Sequence, residues 1–180
     1  MKTQKKTGIL LLNLGGPQRL EDVRPFLVNL FSDRQIIRLG PALLQPIIAR
    51  IIAWRRAPRS MANYRRIGGG SPILEKTREQ ARALEVALAG DGDFVARPCM
   101  RYWHPFADRV LGEMVAAGVR ELVALPLYPQ WANATTLSSL IELRRLWPKD
   151  RPLAEVRAWF DDAAWLDASA AALRETLDRL

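Results

Sequence analysis

The stretch Gly8-Ile9-Leu10-Leu11-Leu12-Asn13-Leu14-Gly15-Gly16-Pro17 constrains the fold more tightly than any other in the chain. Ile9 to Leu12 is an unbroken aliphatic run without polar alternation, and Gly-Gly-Pro follows shortly after it. A run so short and so apolar predicts a strand buried on both faces, the habit of parallel sheets covered by helices. In open sheets of that kind the ligand site lies just past the carboxyl ends of the strands. Gly15 and Gly16 predict a tight turn there, with close backbone approach to a ligand.

The rest of the chain alternates helical and strand-like patterns. Over residues 21–31, Val23, Phe26, Leu27 and Leu30 take one helix face, with Pro25 in the first turn where a missing N–H costs little. Residues 33–40 read as a connection. Over residues 41–54 a second helix carries Leu43, Leu44, Ile47, Ile48, Ile51, Ile52 and Trp54 on one broad side. Residues 60–66 lead into Gly68-Gly69-Gly70, after which Ser71 is expected as the N-cap and Pro72 as the first residue of a helix through Leu74, Ala81, Leu84 and Leu88. Residues 94–100 form the next expected strand, and Pro105 is expected to open a helix through Val110 and Met114, stopped by Gly118. A third strand is expected over residues 122–127. Thr135 and Thr136 then start a helix through Leu146, residues 154–159 give a short strand, and Asp161 or Asp162 caps a last helix.

That order predicts an α/β domain: a three-layer, flavodoxin-like, four-stranded parallel sheet with helices on both faces and right-handed crossovers. Residues 1–180 form one such domain. The loops after the first three strands then converge, bringing Leu14-Gly15-Gly16, Arg101-Tyr102-Trp103-His104 and Tyr128-Pro129-Gln130-Trp131 to one edge. Such a cleft is aromatic and apolar with a few polar groups, suited to a flat apolar ligand.

Charge is uneven. The chain carries 27 Lys and Arg against 19 Asp and Glu. Residues 34–74 hold no acid but eight arginines, Arg34, Arg38, Arg50, Arg55, Arg56, Arg59, Arg65 and Arg66, so the whole excess sits in that window. This predicts a local electropositive surface and not a generally basic protein. The helix over residues 41–54 has two readings: packed on the domain, or a lip whose apolar side meets a membrane or a greasy substrate while its arginines meet lipid phosphates. Cys99 is the sole cysteine, which excludes a disulfide framework or a cysteine-built metal site within the chain and suits a reducing cytoplasm. The basic start, residues 1–7, is not read as a leader, because the apolar run behind it is too short. Gly-Lys-Ser/Thr does not follow the glycine loop and Gly-x-Gly-x-x-Gly does not occur, so nucleotide binding is the weak reading.

Four stretches together resemble the ferrochelatase family, which inserts ferrous iron into a porphyrin in haem synthesis. They are the opening stretch from Gly8 to Pro17, Tyr64-Arg65-Arg66-Ile67-Gly68-Gly69-Gly70-Ser71-Pro72, Met100-Arg101-Tyr102-Trp103-His104-Pro105 and Tyr128-Pro129-Gln130. The resemblance implies the first of two similar α/β domains that clasp a porphyrin, the second being absent from this chain. It implies substrate-binding roles for Leu14, below the macrocycle, and for Arg65, Ser71, Arg101, Tyr102 and Tyr128, with His104 and Trp131 supporting. Residues 26–54 correspond to an apolar lip over the cleft, which in some relatives also meets the membrane. No catalytic residue is expected here, because the family's catalytic histidine motif and its glutamate belong to the second domain. No cofactor or resident metal is implied; Fe2+ is a substrate. The implied partners are a porphyrin, the second domain and an anionic membrane surface, not nucleic acid. Location is expected in the cytoplasm, with attachment at the inner membrane face as the accompanying reading. Protoporphyrin IX is the first substrate reading and coproporphyrin III the alternative. A non-catalytic porphyrin-binding module and, further off, a nucleotide-binding regulator stand beside the enzyme reading.

Overall fold

The computed structural model describes residues 5–179; residues 1–4 of the basic start, and Leu180, lie outside the described residues. β1 (Thr7–Asn13), β2 (Phe94–Met100), β3 (Glu121–Pro126) and β4 (Leu153–Glu155) form one parallel sheet in the order β2-β1-β3-β4. The order reverses between β1 and β3, which creates the crevice where open α/β sheets bind ligands. The flavodoxin-like parallel sheet expected from the strand runs is therefore the fold.

The aliphatic run explains the layering. Leu10 and Leu12 face one side and join the core that α4 (Ala107–Ala116) and α5 (Ser138–Leu146) cover with Val110, Leu111, Met114, Leu140 and Leu143. Ile9 and Leu11 face the other side, where α3 (Ile73–Ala87) contributes Ala81. Two-sided burial is thus imposed by the period of two in a strand. β2 is an edge strand, and its outward amides from Ala96 to Met100 are answered or missing. Glu85 accepts from the Ala96 amide at 2.7 Å, Pro98 has no N–H, and the Met100 amide donates to the Pro105 carbonyl at 2.8 Å. Along that length the edge offers a foreign strand few free donors.

α1 (Val23–Ser32) and α2 (Gln45–Arg66) form a separate hairpin with its own core of Val23, Phe26, Leu27, Phe31, Ala49, Ala53, Ala57 and Tyr102. α2 meets α1 through Ala49, Ala53 and Ala57, a row at i, i+4, i+8 small enough to let the axes approach closely. Of the apolar residues expected on one side of this helix, Ile52 packs against the hairpin core and Ile48 is partly buried, whereas the others point away. Leu43 is 91% exposed, Trp54 63%, and Ile47 and Ile51 54% each. Gln45 is buried at the base of the hairpin and fully satisfied: its Nε2 donates to the Phe31 and Ile37 carbonyls at 2.8 Å, and its Oε1 accepts from the Leu39 amide at 3.0 Å.

Several boundaries differ from expectation. α2 continues to Arg66 instead of ending at Trp54, because the alanine seam runs on and Pro58 lies on the exposed side, where its missing hydrogen bond is cheapest. α3 starts at Ile73 with Pro72 as its N-cap, one position later than read, and Ser71 Oγ accepts from the Ile73 amide only at 3.4 Å. Pro105 does not open α4; it follows His104 in cis, and the helix begins at Ala107. Thr135 and Thr136 lie in a wide turn, Asn133–Leu137, that feeds α5. β4 is only three residues long, ending at Glu155. Trp159 instead folds back on the loop after β3, its amide donating to the Pro129 carbonyl at 2.9 Å and its indole Nε1 to the Pro126 carbonyl at 2.8 Å. Asp162 does cap α6 (Ala163–Leu177), accepting from the Trp165 amide at 2.9 Å. No residue of α6 is fully buried. Among the described residues no helix is long and apolar enough to cross a membrane.

Candidate functional site at the carboxyl edge of the sheet

Gly15, Tyr102 and Tyr128 each stand two residues past the end of β1, β2 and β3, so the three loops do converge on one edge. The Arg101 amide donates to the Asn13 carbonyl and the Tyr102 amide to the Leu14 carbonyl, both at 2.9 Å. The Leu127 amide donates to the Leu12 carbonyl at 2.9 Å. Gly15 turns the chain at φ +80°, where a side chain would be strained and its Cβ would lie 3.0 Å from Met100.

The glycine loop after α2 is locked to this edge and not left open as a cradle. Gly68 is the left-handed residue that ends α2, with the Gly69 amide donating back to the Tyr64 carbonyl at 2.8 Å. A Cβ on Gly70 would lie 2.2 Å from the Gln18 carbonyl oxygen, and one on Gly16 would lie 2.6 Å from Ser71 Oγ. The Ser71 amide donates to the Pro17 carbonyl at 2.7 Å. Two motifs some fifty residues apart in the chain thus pack backbone to backbone, bringing Ser71 beside the loop that carries Leu14.

The charged centre of the site is one the sequence reading missed. Asp33, the C-cap of α1, accepts through Oδ2 from Arg101 Nη2 at 3.0 Å, from the Tyr102 hydroxyl at 2.8 Å and from Ser138 Oγ. Ser138 Oγ in turn accepts from Arg101 Nε at 2.8 Å, and Asp33 Oδ1 accepts from the Gln35 amide at 2.7 Å. Burial pushes the Asp33 carboxyl up, but the bonds from Ser138, the Gln35 amide and Tyr102, with the Arg101 charge, outweigh it and hold the group below its usual range. Burial, with the Asp33 carboxylate beside it, drives Tyr102 far above the ordinary tyrosine range. Tyr102 is therefore a protonated donor, only 1% exposed. A signal for Asp33 existed: an acid at a helix C-terminus opposes the helix dipole and needs partners elsewhere. Asn29, Ser32, Asp33, Arg101, Tyr102 and Phe106 line a cavity of 310 Å³.

The other expected residues are placed as follows. Leu14 is half-buried against the hairpin core. Arg65 is exposed in the last turn of α2. The Tyr128 hydroxyl is buried near Ser139, yet neither hydroxyl makes a hydrogen bond of good geometry, and burial pushes Tyr128 far up. His104 is exposed and does not line the cavity of Arg101 and Tyr102; it lines a groove between α3 and α4 with Arg97 and Arg109, its ring 4.6 Å from that of Phe106. Trp131 is 39% exposed, with the Arg157 guanidinium 5.9 Å from its ring. Leu14, Arg101, Tyr102 and Tyr128 thus follow directly on the strand ends with Ser71 beside the first loop, Arg65 is exposed at the end of α2, and neither His104 nor Trp131 lines the Asp33 cavity. Among the described residues no three His, Cys, Asp or Glu side chains come together as a metal site.

Fold and site define a parallel α/β domain with a ligand crevice between β1 and β3, roofed by a helical hairpin. The match to known proteins is more particular: residues 6–180 fit the ferrochelatase family along nearly their whole length. The chain is 49% identical over 174 residues to the ferrochelatase of Desulfotalea psychrophila, covering 95% of this chain and 54% of that protein. It is 49% identical to the ferrochelatase of Thermosynechococcus vestitus, with 97% and 46% covered, and 44% identical to that of Gloeobacter violaceus, with 97% and 55% covered. This chain belongs to the ferrochelatase family. It spans about half the length of the curated relatives it matches.

Proposed function

We propose that this chain supplies one half of an enzyme that inserts Fe2+ into protoporphyrin IX, forming one wall of the porphyrin cleft. The single observation that supports this most is the meeting of three strand-end loops under the α1–α2 hairpin, in a chain of this family. Leu14 lies below the macrocycle, Arg65 and Arg101 meet its propionates as guanidinium–carboxylate pairs, and Ser71, Tyr102 and Tyr128 shape the wall. Tyr102 works mainly by holding Asp33 and through it Arg101, since its hydroxyl is already engaged. Metal insertion also needs a base for the two pyrrole protons, and in this proposal the other half of the enzyme brings it. α6, with Leu166, Leu173 and Leu177 exposed, offers a face for that half.

The proposal places the enzyme in the cytoplasm with α2 toward the inner membrane face. Ile47, Ile51 and Trp54, flanked by arginines without acids, suit an anionic lipid surface.

Porphyrin fluorescence titration beside a ferrous- or zinc-insertion assay tests the enzyme reading. The chain alone should bind porphyrin weakly and turn nothing over. A one-sided cleft buries about half the macrocycle, and at ~25 cal/mol per Å² the loss is several kcal/mol. Adding the second half of a full-length relative should restore turnover, and running coproporphyrin III in parallel decides the substrate. Turnover by the chain alone would overturn the half-enzyme reading. A folded chain that binds no porphyrin, alone or complemented, would remove the porphyrin reading itself.

A further inference from the structure

β2 is the edge of the sheet, and a groove of 420 Å³ runs along it between α3 on one face and α4 on the other. The backbone there gives a foreign strand little to pair with. The Ala96 amide donates to Glu85 and the Arg97 guanidinium donates to the Ala96 carbonyl, both at 2.7 Å, and Pro98 has no amide. What enters the groove must therefore be recognised by side chains. Leu74, Ala81, Pro98 and Val110 give it an apolar lining.

The charges are ordered along the groove. α3 leads into β2 and α4 leads out of it, and because the strands are parallel both helices run back across the sheet. Early residues of each helix thus stand toward the carboxyl edge. Arg78 and Arg82 precede Glu85 on α3, and Arg109 precedes Glu113 on α4, with His104 just ahead, so cations lead and carboxylates trail on both walls. Arg97 pairs with Glu85 at 3.0 Å. The Arg109–Glu113 pair is in solvent, its side chains 72% and 57% exposed, and such a pair yields easily to a ligand. Arg78 pairs with Glu75, which does not line the groove, and Arg82 makes no ion pair among the described residues.

We propose that the groove binds a compact organic dianion, a phosphate ester or a dicarboxylate, with its charges at the cationic end between Arg82 and Arg109. Four guanidiniums line the groove against two carboxylates, and the surplus of two charges matches a dianion. Guanidinium forks hold either kind of oxyanion through paired hydrogen bonds. The volume is in the range of pockets that enclose small organic ligands, and the apolar lining calls for more than a bare ion. This groove lies on the far side of β2 from the crevice between β1 and β3, so the proposal stands whether or not the crevice takes a porphyrin.

Calorimetric titration of the purified chain at fixed ionic strength tests the proposal. The probes are phenyl phosphate, glutarate, inorganic phosphate and uncharged benzyl alcohol. Phenyl phosphate or glutarate should bind at least about tenfold tighter than inorganic phosphate and benzyl alcohol, the effect of one charge-assisted contact or more. The double variant Arg82→Gln/Arg109→Gln, which takes one guanidinium from each wall, should lose at least about tenfold of that affinity. Arg174→Gln on α6 should change it by less than about twofold. Arg82 and Arg109 are exposed, so the double variant should melt with the wild type. Amide spectra should shift over residues 78–82 and 104–109 on binding. Tighter binding of phenyl phosphate would identify a phosphate ester as the ligand class, and tighter binding of glutarate a dicarboxylate. No binding of either, inorganic phosphate equal to both, unchanged affinity in the double variant, or shifts confined to the loop of Leu14 would each overturn it.

Discussion

The Asp33 carboxylate and the Arg101 guanidinium, 68 residues apart in the chain, meet at 3.0 Å and tie the α1–α2 hairpin to the sheet. Asp33 ends α1, Arg101 follows β2, and Ser138 begins α5, so one carboxylate joins three elements at the crevice. The Asp33 side chain is only 10% exposed, which makes the bonds strong and their loss costly.

Asp33→Asn should therefore destabilise the domain by about 2–3 kcal/mol, because Arg101 keeps its charge and loses its partner. Denaturant melts at neutral pH measure this. The Asp33 carboxyl is held below the ordinary aspartate value of 3.8, so it contributes stability that is complete above that value and lost as pH falls through the folded pKa. Wild type should lose stability steeply below about pH 4, and Asp33→Asn should lose less of it over the same interval. Equal acid slopes in the two proteins would contradict the assignment.

The two tyrosines of the wall should respond oppositely to loss of their hydroxyls. Tyr102→Phe removes a donor from a buried carboxylate and should cost about 1.5–3 kcal/mol. Tyr128→Phe removes a buried hydroxyl with no partner and should be neutral or stabilising by up to ~1 kcal/mol. Paired thermal melts decide the order, and similar losses in both would mean that Tyr128 is bonded after all.

Neighbouring glycines separate crowding from backbone conformation. Gly69 has φ +91° but open space around it, so Gly69→Ala should cost about 1 kcal/mol. Gly70→Ala places a Cβ 2.2 Å from the Gln18 carbonyl oxygen, which cannot give way without moving the first loop. It should cost clearly more, on the order of 3 kcal/mol, and perturb the Leu14 loop in amide spectra.

The exposed stripe of α2 predicts salt-sensitive binding to anionic vesicles, by about 1 kcal/mol per engaged arginine. Ile47→Ser/Ile51→Ser should weaken sedimentation with such vesicles without changing the melting temperature, since both side chains are half in solvent. Binding that is equal for neutral vesicles and insensitive to salt would refute a lipid-facing role.

Local pattern was enough for the sheet. Ile9 to Leu12 can only be satisfied between two helical layers, and the turns that follow β1, β2 and β3 mark the edge where ligands bind. The four family stretches point to Leu14, Arg65, Ser71, Arg101, Tyr102 and Tyr128, with His104 and Trp131 supporting; of these, Leu14, Arg101, Tyr102 and Tyr128 follow directly on the strand ends. Helix ends were less legible, because the α2 boundary depends on an alanine seam whose partner is α1, and alanines carry no amphipathic signal of their own.

What only the tertiary structure decided was pairing across distance. Asp33 reads as an ordinary loop acid until folding brings Arg101, Tyr102 and Ser138 to it. Gly70 reads as a flexible loop residue until Gln18 lies against it. His104 sits two residues from Tyr102 in sequence, yet it lines the groove between α3 and α4 and not the cavity of Tyr102. Periodicity reports which way a side chain points relative to its own element, and so it determined the layers and the crevice. It holds no information on which residue from another element will stand opposite, and that is what makes the site.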